Sequence, residues 1–199
     1  MAKKLLVLGV VAAVVVFFVV RAEAAKLKIG DPAPSFSELI GVDDKKHSLS
    51  DYKDAKVIVL IFTCNHCPVA VAYEDRIIAL QKDYKDKGVQ VIAVNVNNIP
   101  ADRLDQMKIR AEKKGFNFPY LYDETQKIAR DYGAEVTPHV FVLCQQRKLA
   151  YTGAIDDSQN PEKVKTHFLR EAIDALLAGK EPPQTVTKHF GCSIKYEKK

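Results

Sequence analysis

Two cysteines with two residues between them, Cys64-Asn65-His66-Cys67, are the residues of this 199-residue chain best suited to covalent chemistry. A thiolate attacks a disulfide sulfur, and a second thiol close by can displace whatever the first has captured, so the spacing suits thiol–disulfide exchange. A static bridge between them would close only a four-residue loop and would constrain the unfolded chain little. Zinc takes about four ligands, and no second C-x-x-C or H-x-x-x-H completes a set, so neither a metal nor a cofactor is expected. His66, if cationic beside a thiolate, would stabilise the reduced form and make the pair more oxidising; Asn65 is the other candidate for tuning the thiolate. A solvated His66 with no such role is the plain alternative.

Such a pair needs a rigid mount. The run Val57 to Phe62 is apolar and rich in β-branched residues, too short to cross a membrane, and reads as a buried strand. After Pro68 the period changes: Tyr73, Ile77, Leu80 and Tyr84 fall at helical spacing, giving a helix from about Pro68 to Lys87 with Gly88 as its left-handed stop. A thiol at the head of a helix meets unpaired backbone N–H groups and the positive end of the dipole. Cys64 is therefore expected to be acidic, exposed and nucleophilic.

Further along, Val89 to Val96 is apolar on both faces, as in an interior parallel strand. Ala101 to Lys114 reads as a helix with a thin stripe of Leu104, Met107 and Ala111, ended by Gly115. A short helix carries Ile128, Ala129 and Tyr132 up to Gly133, and Thr137-Pro138 precedes a strand Val140 to Cys144 that turns back into Lys148 to Thr152. The last helix spans about Pro161 to Ala178, burying Val164, Phe168, Leu169, Ala172, Ile173 and Leu176. Two prolines keep residues 29–36 extended, and His47 to Ser50 reads as a short strand before a turn. Residues 180–199 lack periodicity and are expected to be an irregular surface tail.

Length and 47% hydrophobic content suit one domain. Lys3-Lys4, the sixteen-residue apolar run Leu5 to Val20 and Ala22-Glu23-Ala24 read as a signal peptide over residues 1–24, cleaved after Ala24; an uncleaved anchor is the alternative. Either way the folded part is expected outside the cytoplasm, periplasmic or extracellular, with membrane contact only through the N-terminal segment. The net charge of +5 falls to +3 once Lys3, Lys4, Arg21 and Glu23 are removed, and no basic run interleaved with aromatics points to nucleic acid.

The order strand, C-x-x-C helix, strand, helix, proline-initiated strand, strand, helix resembles the thioredoxin fold. The arm Gly30-Asp31-Pro32-Ala33-Pro34-Ser35-Phe36, the turn Leu49-Ser50-Asp51-Tyr52 and the extra helix near 101–114 are similar to the redoxin branch, with its alkyl hydroperoxide reductases, thiol-specific antioxidants and periplasmic thioredoxin-like proteins. Cys64-Asn65-His66-Cys67-Pro68, Ala72-Tyr73-Glu74-Asp75-Arg76 and Gly191-Cys192-Ser193-Ile194-Lys195 resemble a group of exported redoxin-domain proteins. The resemblance implies an α/β fold over residues 27–178, a central mixed sheet flanked by helices, with an N-terminal extension and one extra helix. It also implies a cis Thr137-Pro138 bond against an active-site disulfide of Cys64 and Cys67, with the Thr137 backbone pairing with an extended substrate segment.

Departures from the pattern matter too. Thioredoxins bury an acid six residues before the first cysteine and some relatives place one three residues after the second, but here Ile58 and Ala70 stand there. Glu74, His66 or water remain as proton acceptors for Cys67. The P-x-x-x-T-x-x-C pattern of peroxidases is missing at both cysteines, making peroxidase activity a minor alternative. The sequence thus reads as a thiol–disulfide oxidoreductase acting on protein thiols or disulfides with an unidentified redox partner; its reduction potential would set the direction of electron flow. A copper-handling redoxin using Cys64, Cys67 and His139 is a rival reading, as is a redox-dead interaction module. Cys144 reads as an inert core thiol. Cys192 could be an additional redox cysteine reaching Cys64, a partner for Cys144, or an unreactive tail residue. His139 either lies near the sulfurs or points to solvent from a strand start.

Overall fold

The computed structural model describes residues 27–198, so the expected signal peptide and its cleavage site lie outside the described residues. The chain forms β1 (Leu39–Gly41), β2 (Lys46–His47), β3 (Val57–Phe62), α1 (Pro68–Tyr84), β4 (Val89–Asn95), α2 (Leu104–Lys114), β5 (Tyr120–Tyr122), α3 (Lys127–Tyr132), β6 (Val136–Thr137), β7 (His139–Leu143), β8 (Leu149–Gly153), α4 (Phe168–Leu177) and β9 (Cys192–Ser193). Seven strands make one mixed sheet in the order β2-β1-β5-β4-β3-β7-β8. β3, β4 and β5 run parallel, while β7 pairs antiparallel with β3 and β8. This is the thioredoxin-like α/β arrangement that the order of elements implies.

Alternation along β3 builds the two layers, because successive side chains of a strand point to opposite faces. Val57, Val59 and Ile61 join Tyr73, Ile77, Leu80 and Tyr84 of α1 and Leu169, Ala172 and Ile173 of α4. Ile58, Leu60 and Phe62 face the other way, against Ile128, Ala129 and Tyr132 of α3 and Phe141 of β7. Every side chain of β3 is buried. Its C-terminal end is held on both sides, with Phe62 opposite Val94 of β4 and His139 of β7, and the sulfurs follow directly.

Four local features differ from the sequence reading. β1 and β5 are three residues each, too short to show an alternation. Leu49–Tyr52 is a turn of 3-10 helix, because Asp51 reaches back to the Ser48 N–H at 2.7 Å and starts a helical turn where a strand was expected. The last helix begins at Phe168: the Asn160 side chain accepts from the Glu162 N–H and that of Asp157 from the Lys165 N–H, which competes with helix formation upstream.

The tail is the fourth. It has little regular structure, as expected, but it is packed down along its length. Thr187 is buried, with its hydroxyl against Tyr151 Oη and the Ala154 N–H. Ile194 is buried in the α3-side core, Lys195 N donates to Asn97 Oδ1 at 2.8 Å, and Tyr196 Oη donates to the Ala134 carbonyl at 2.6 Å. Periodicity measures repeated faces, and this segment is fixed by single contacts instead. Among the described residues, no helix is long and apolar enough to cross a membrane.

Candidate functional site

The candidate site lies where β3 hands over to α1. Helix α1 starts at Pro68, whose missing N–H costs nothing at the first helical position. Cys67 is its N-cap, with Sγ 3.5 Å from the Ala70 N–H. The residue at the helix head is thus Cys67, and Cys64 stands three residues before it. Thr137, at the end of β6, comes from across the sheet through a cis bond to Pro138. Its hydroxyl lies 3.2 Å from Cys64 Sγ, and its carbonyl oxygen 3.2 Å from Cys67 Sγ. The structure therefore gathers Cys64, Cys67, Thr137 and Pro138 in one place, as the resemblance implies.

The disulfide, however, joins Cys67 to Cys192 across 125 residues, with Cα atoms 5.9 Å apart. Cys64 is a free thiol packed against both, and Cys144 is the other free cysteine. Of the three possibilities for Cys192, pairing with Cys144 is excluded in this state, and an unreactive tail residue does not describe a cysteine bonded to Cys67. The bond is reached because β9 pairs antiparallel with β6, Thr137 opposite Cys192 and Val136 opposite Ser193.

Cys64 is not exposed as expected: it retains 2% of its surface. Burial pushes its thiol up, the Thr137 hydrogen bond pulls it down, and the Asp102 carboxylate pushes it up again, while the Cys67 and His66 backbone N–H groups lower it; the net direction is upward. Cys64 is thus a buried thiol made less acidic by its surroundings, and the expectation of an acidic, exposed nucleophile is corrected. The sulfur that caps the helix and meets its free N–H groups belongs to Cys67.

Asp102 was missed by sequence reasoning. It is fully buried in the turn before α2, and Oδ1 accepts the backbone N–H groups of Asn65 at 2.8 Å and His66 at 3.2 Å. Oδ2 meets His66 Nδ1. The one available signal was topological: parallel β3 and β4 bring the loops after their C-terminal ends together at one edge of the sheet. Asn65 is a structural pin here, its amide donating to the Ala101 carbonyl and its Oδ1 accepting from Tyr120 Oη. His66 is oriented by Asp102, so it is not a loosely solvated side chain.

The remaining candidates separate from the sulfurs. Glu74, buried in α1, is engaged by Arg110 through two hydrogen bonds of 2.8 and 2.6 Å, which leaves it committed to a structural ion pair. His139 is buried, so it does not point to solvent; Nδ1 accepts from the Glu135 N–H, Nε2 lies 3.3 Å from the Thr152 hydroxyl, and the ring lies against His189 at 4.0 Å. Cys67 is committed to the disulfide in this state, and among the described residues Cys64, Cys67 and His139 are not a group whose ligand-type atoms converge. The ligand-type atoms that do converge, within 4.8 Å of one another, are those of Cys64, His66 and Asp102. Cys144 is half-buried at the β7–β8 turn, with Sγ 3.2 Å from Gln146 Oε1, and is not a core thiol.

The Redoxin family model matches residues 28–167. An uncharacterized conserved protein from Geobacillus kaustophilus is 38% identical, with 86% of this chain and 93% of that one aligned at a TM-score of 0.81. A hypothetical protein from Sinorhizobium meliloti is 31% identical over 87% of this chain and 97% of that one, also at 0.81. A Chlorobium tepidum protein provisionally assigned as thiol:disulfide interchange protein DsbE is 29% identical over 64% of this chain and 85% of that one, at 0.56. No curated protein matches the chain.

Proposed function

The chain belongs to the Redoxin family, and on that premise we propose that it is a thiol–disulfide oxidoreductase exchanging disulfides with exported proteins through Cys64 and Cys67. One observation carries the reading: three cysteines share one cluster at the head of α1, two of them joined and the third, Cys64, a buried free thiol. Exchange needs that arrangement, a thiol beside a disulfide, and a purely structural bridge does not. The resemblance of the Chlorobium tepidum protein, provisionally assigned to disulfide interchange, supports it. In the exchange, Cys64 or Cys67 as thiolate attacks a substrate disulfide, forms a mixed disulfide, and is released by the other sulfur. The Thr137 hydroxyl pairs with the Cys64 thiol, its carbonyl oxygen lies beside Cys67 Sγ where it can accept from the reduced thiol, and Asp102 fixes the Asn65-His66 backbone between the two cysteines.

The basic, apolar and Ala-x-Ala pattern of residues 1–24 supports action outside the cytoplasm. Intact-mass measurement of protein recovered from the exported fraction checks cleavage after Ala24. Turnover of insulin disulfides with a dithiol donor tests the activity. Cys64→Ser and Cys67→Ser should each lose it, and wild-type turnover by either variant would sink the proposal.

A further inference from the structure

The strand slot beside Thr137 is filled by the chain itself. β9 pairs with β6 in an antiparallel register, and Ile194 N donates to the Glu135 carbonyl at 3.0 Å to extend the ladder. Cys192 presents its sulfur to Cys67, and Thr137 Oγ1 reaches the Cys192 carbonyl at 3.5 Å. On one side of Cys192, Gly191 passes so close to the sheet that an added Cβ would lie 2.2 Å from the Thr137 carbonyl oxygen and 2.7 Å from its carbon. Those are backbone atoms and cannot swing aside. On the other side, Ser193 faces solvent while Ile194 is buried. A peptide in this register thus meets a steric filter before the cysteine and an apolar seat two residues after it.

We propose that Gly191–Ile194 is a resident pseudo-substrate, and that the slot selects extended segments of the form Gly-Cys-x-apolar. This rests on the exchange reading above, since it names the substrate class of that same site. The resident segment leaves without any outside oxidant or reductant. Cys64 Sγ attacks Cys67 Sγ, the Cys67–Cys192 bond breaks as Cys64–Cys67 forms, and Cys192 departs with the two electrons of the broken bond and the proton given up by Cys64. The segment is then held in the slot only by the β6–β9 ladder and the buried Ile194, contacts an incoming peptide of the same form can replace.

The test uses two acetylated, amidated tetrapeptides, Gly-Cys-Ser-Ile and Ala-Cys-Ser-Ile, each carrying thionitrobenzoate on its cysteine. Reduced, full-length Cys192→Ser protein attacks the peptide sulfur and releases coloured thionitrobenzoate. The glycine peptide should react faster by about tenfold or more, the scale of a misplaced carbon in a close-fitting site. Equal rates overturn the proposal, as does reaction with 5,5′-dithiobis(2-nitrobenzoate) but with neither peptide; both outcomes leave the exchange reading standing. Silence toward all three disulfides sinks the two together. A second measurement reads the latch directly: in oxidised Gly191→Ala protein, peptide mapping should find Cys64–Cys67 linked and Cys192 open to N-ethylmaleimide. A Cys67–Cys192 bond retained at the wild-type level overturns the assignment.

Discussion

Thr137 carries two jobs on one side chain and its own backbone. Its hydroxyl is the side-chain group that lowers the Cys64 thiol, with the Cys67 and His66 N–H groups, against burial and the Asp102 charge, which both raise it. Thr137→Val keeps the shape and removes the hydrogen bond, so the pH at which iodoacetamide alkylates Cys64 should move further up; a profile unchanged from wild type would discount the contact. The sign for stability follows. A thiol held above its unfolded value stabilises the fold fully below the unfolded pKa, and that contribution disappears as pH rises through the folded one. Asp102→Ala removes the acceptor of two backbone N–H groups and the partner of His66, and should cost about 2–3 kcal/mol in urea unfolding while slowing exchange. Asp102 was illegible in the sequence because nothing in hydrophobic period records a carboxylate reaching 36 and 37 residues back to two amides. The two cysteines were legible from their spacing, and Thr137-Pro138 only from the resemblance, since by itself a proline before a strand marks no site.

At the level of elements, legibility followed length and burial. β3 and α1 were readable because an unbroken apolar run and a helical stripe each repeat several times, and Gly88, Gly115 and Gly133 do close their helices with positive φ. β1 and β5 were not, since three residues carry no period; the sheet recruits them by backbone pairing, β5 between β4 and β1, and β1 between β5 and β2. The tail had no face to repeat, so its docking by Thr187, Ile194 and Tyr196 could not be seen. Ile194→Ala should therefore do more than leave a cavity. It should cost about 2–4 kcal/mol and make the Cys67–Cys192 bond reducible at lower dithiothreitol, checked by titration with thiol alkylation. A midpoint equal to wild type would mean that the other anchors alone hold β9 in place.

For the whole molecule, the cross-link between Cys67 and Cys192 spans most of the fold. In the chain-entropy account, closing a loop that long restrains the unfolded ensemble by about 5 kcal/mol, against about 2 for a four-residue loop. Urea unfolding of the oxidised protein should thus exceed that of Cys192→Ser by a few kcal/mol; equal midpoints would show that the bond adds nothing beyond the packed tail. The same separation has a consequence in time. A polypeptide is delivered amino end first, so Cys64 and Cys67 emerge long before Cys192 exists to meet them. The earliest partner within reach of Cys67 is Cys64, whereas the bond to Cys192 can form only after a further 125 residues have been delivered. The pairing of the folded state is thus among the last bonds this fold can complete.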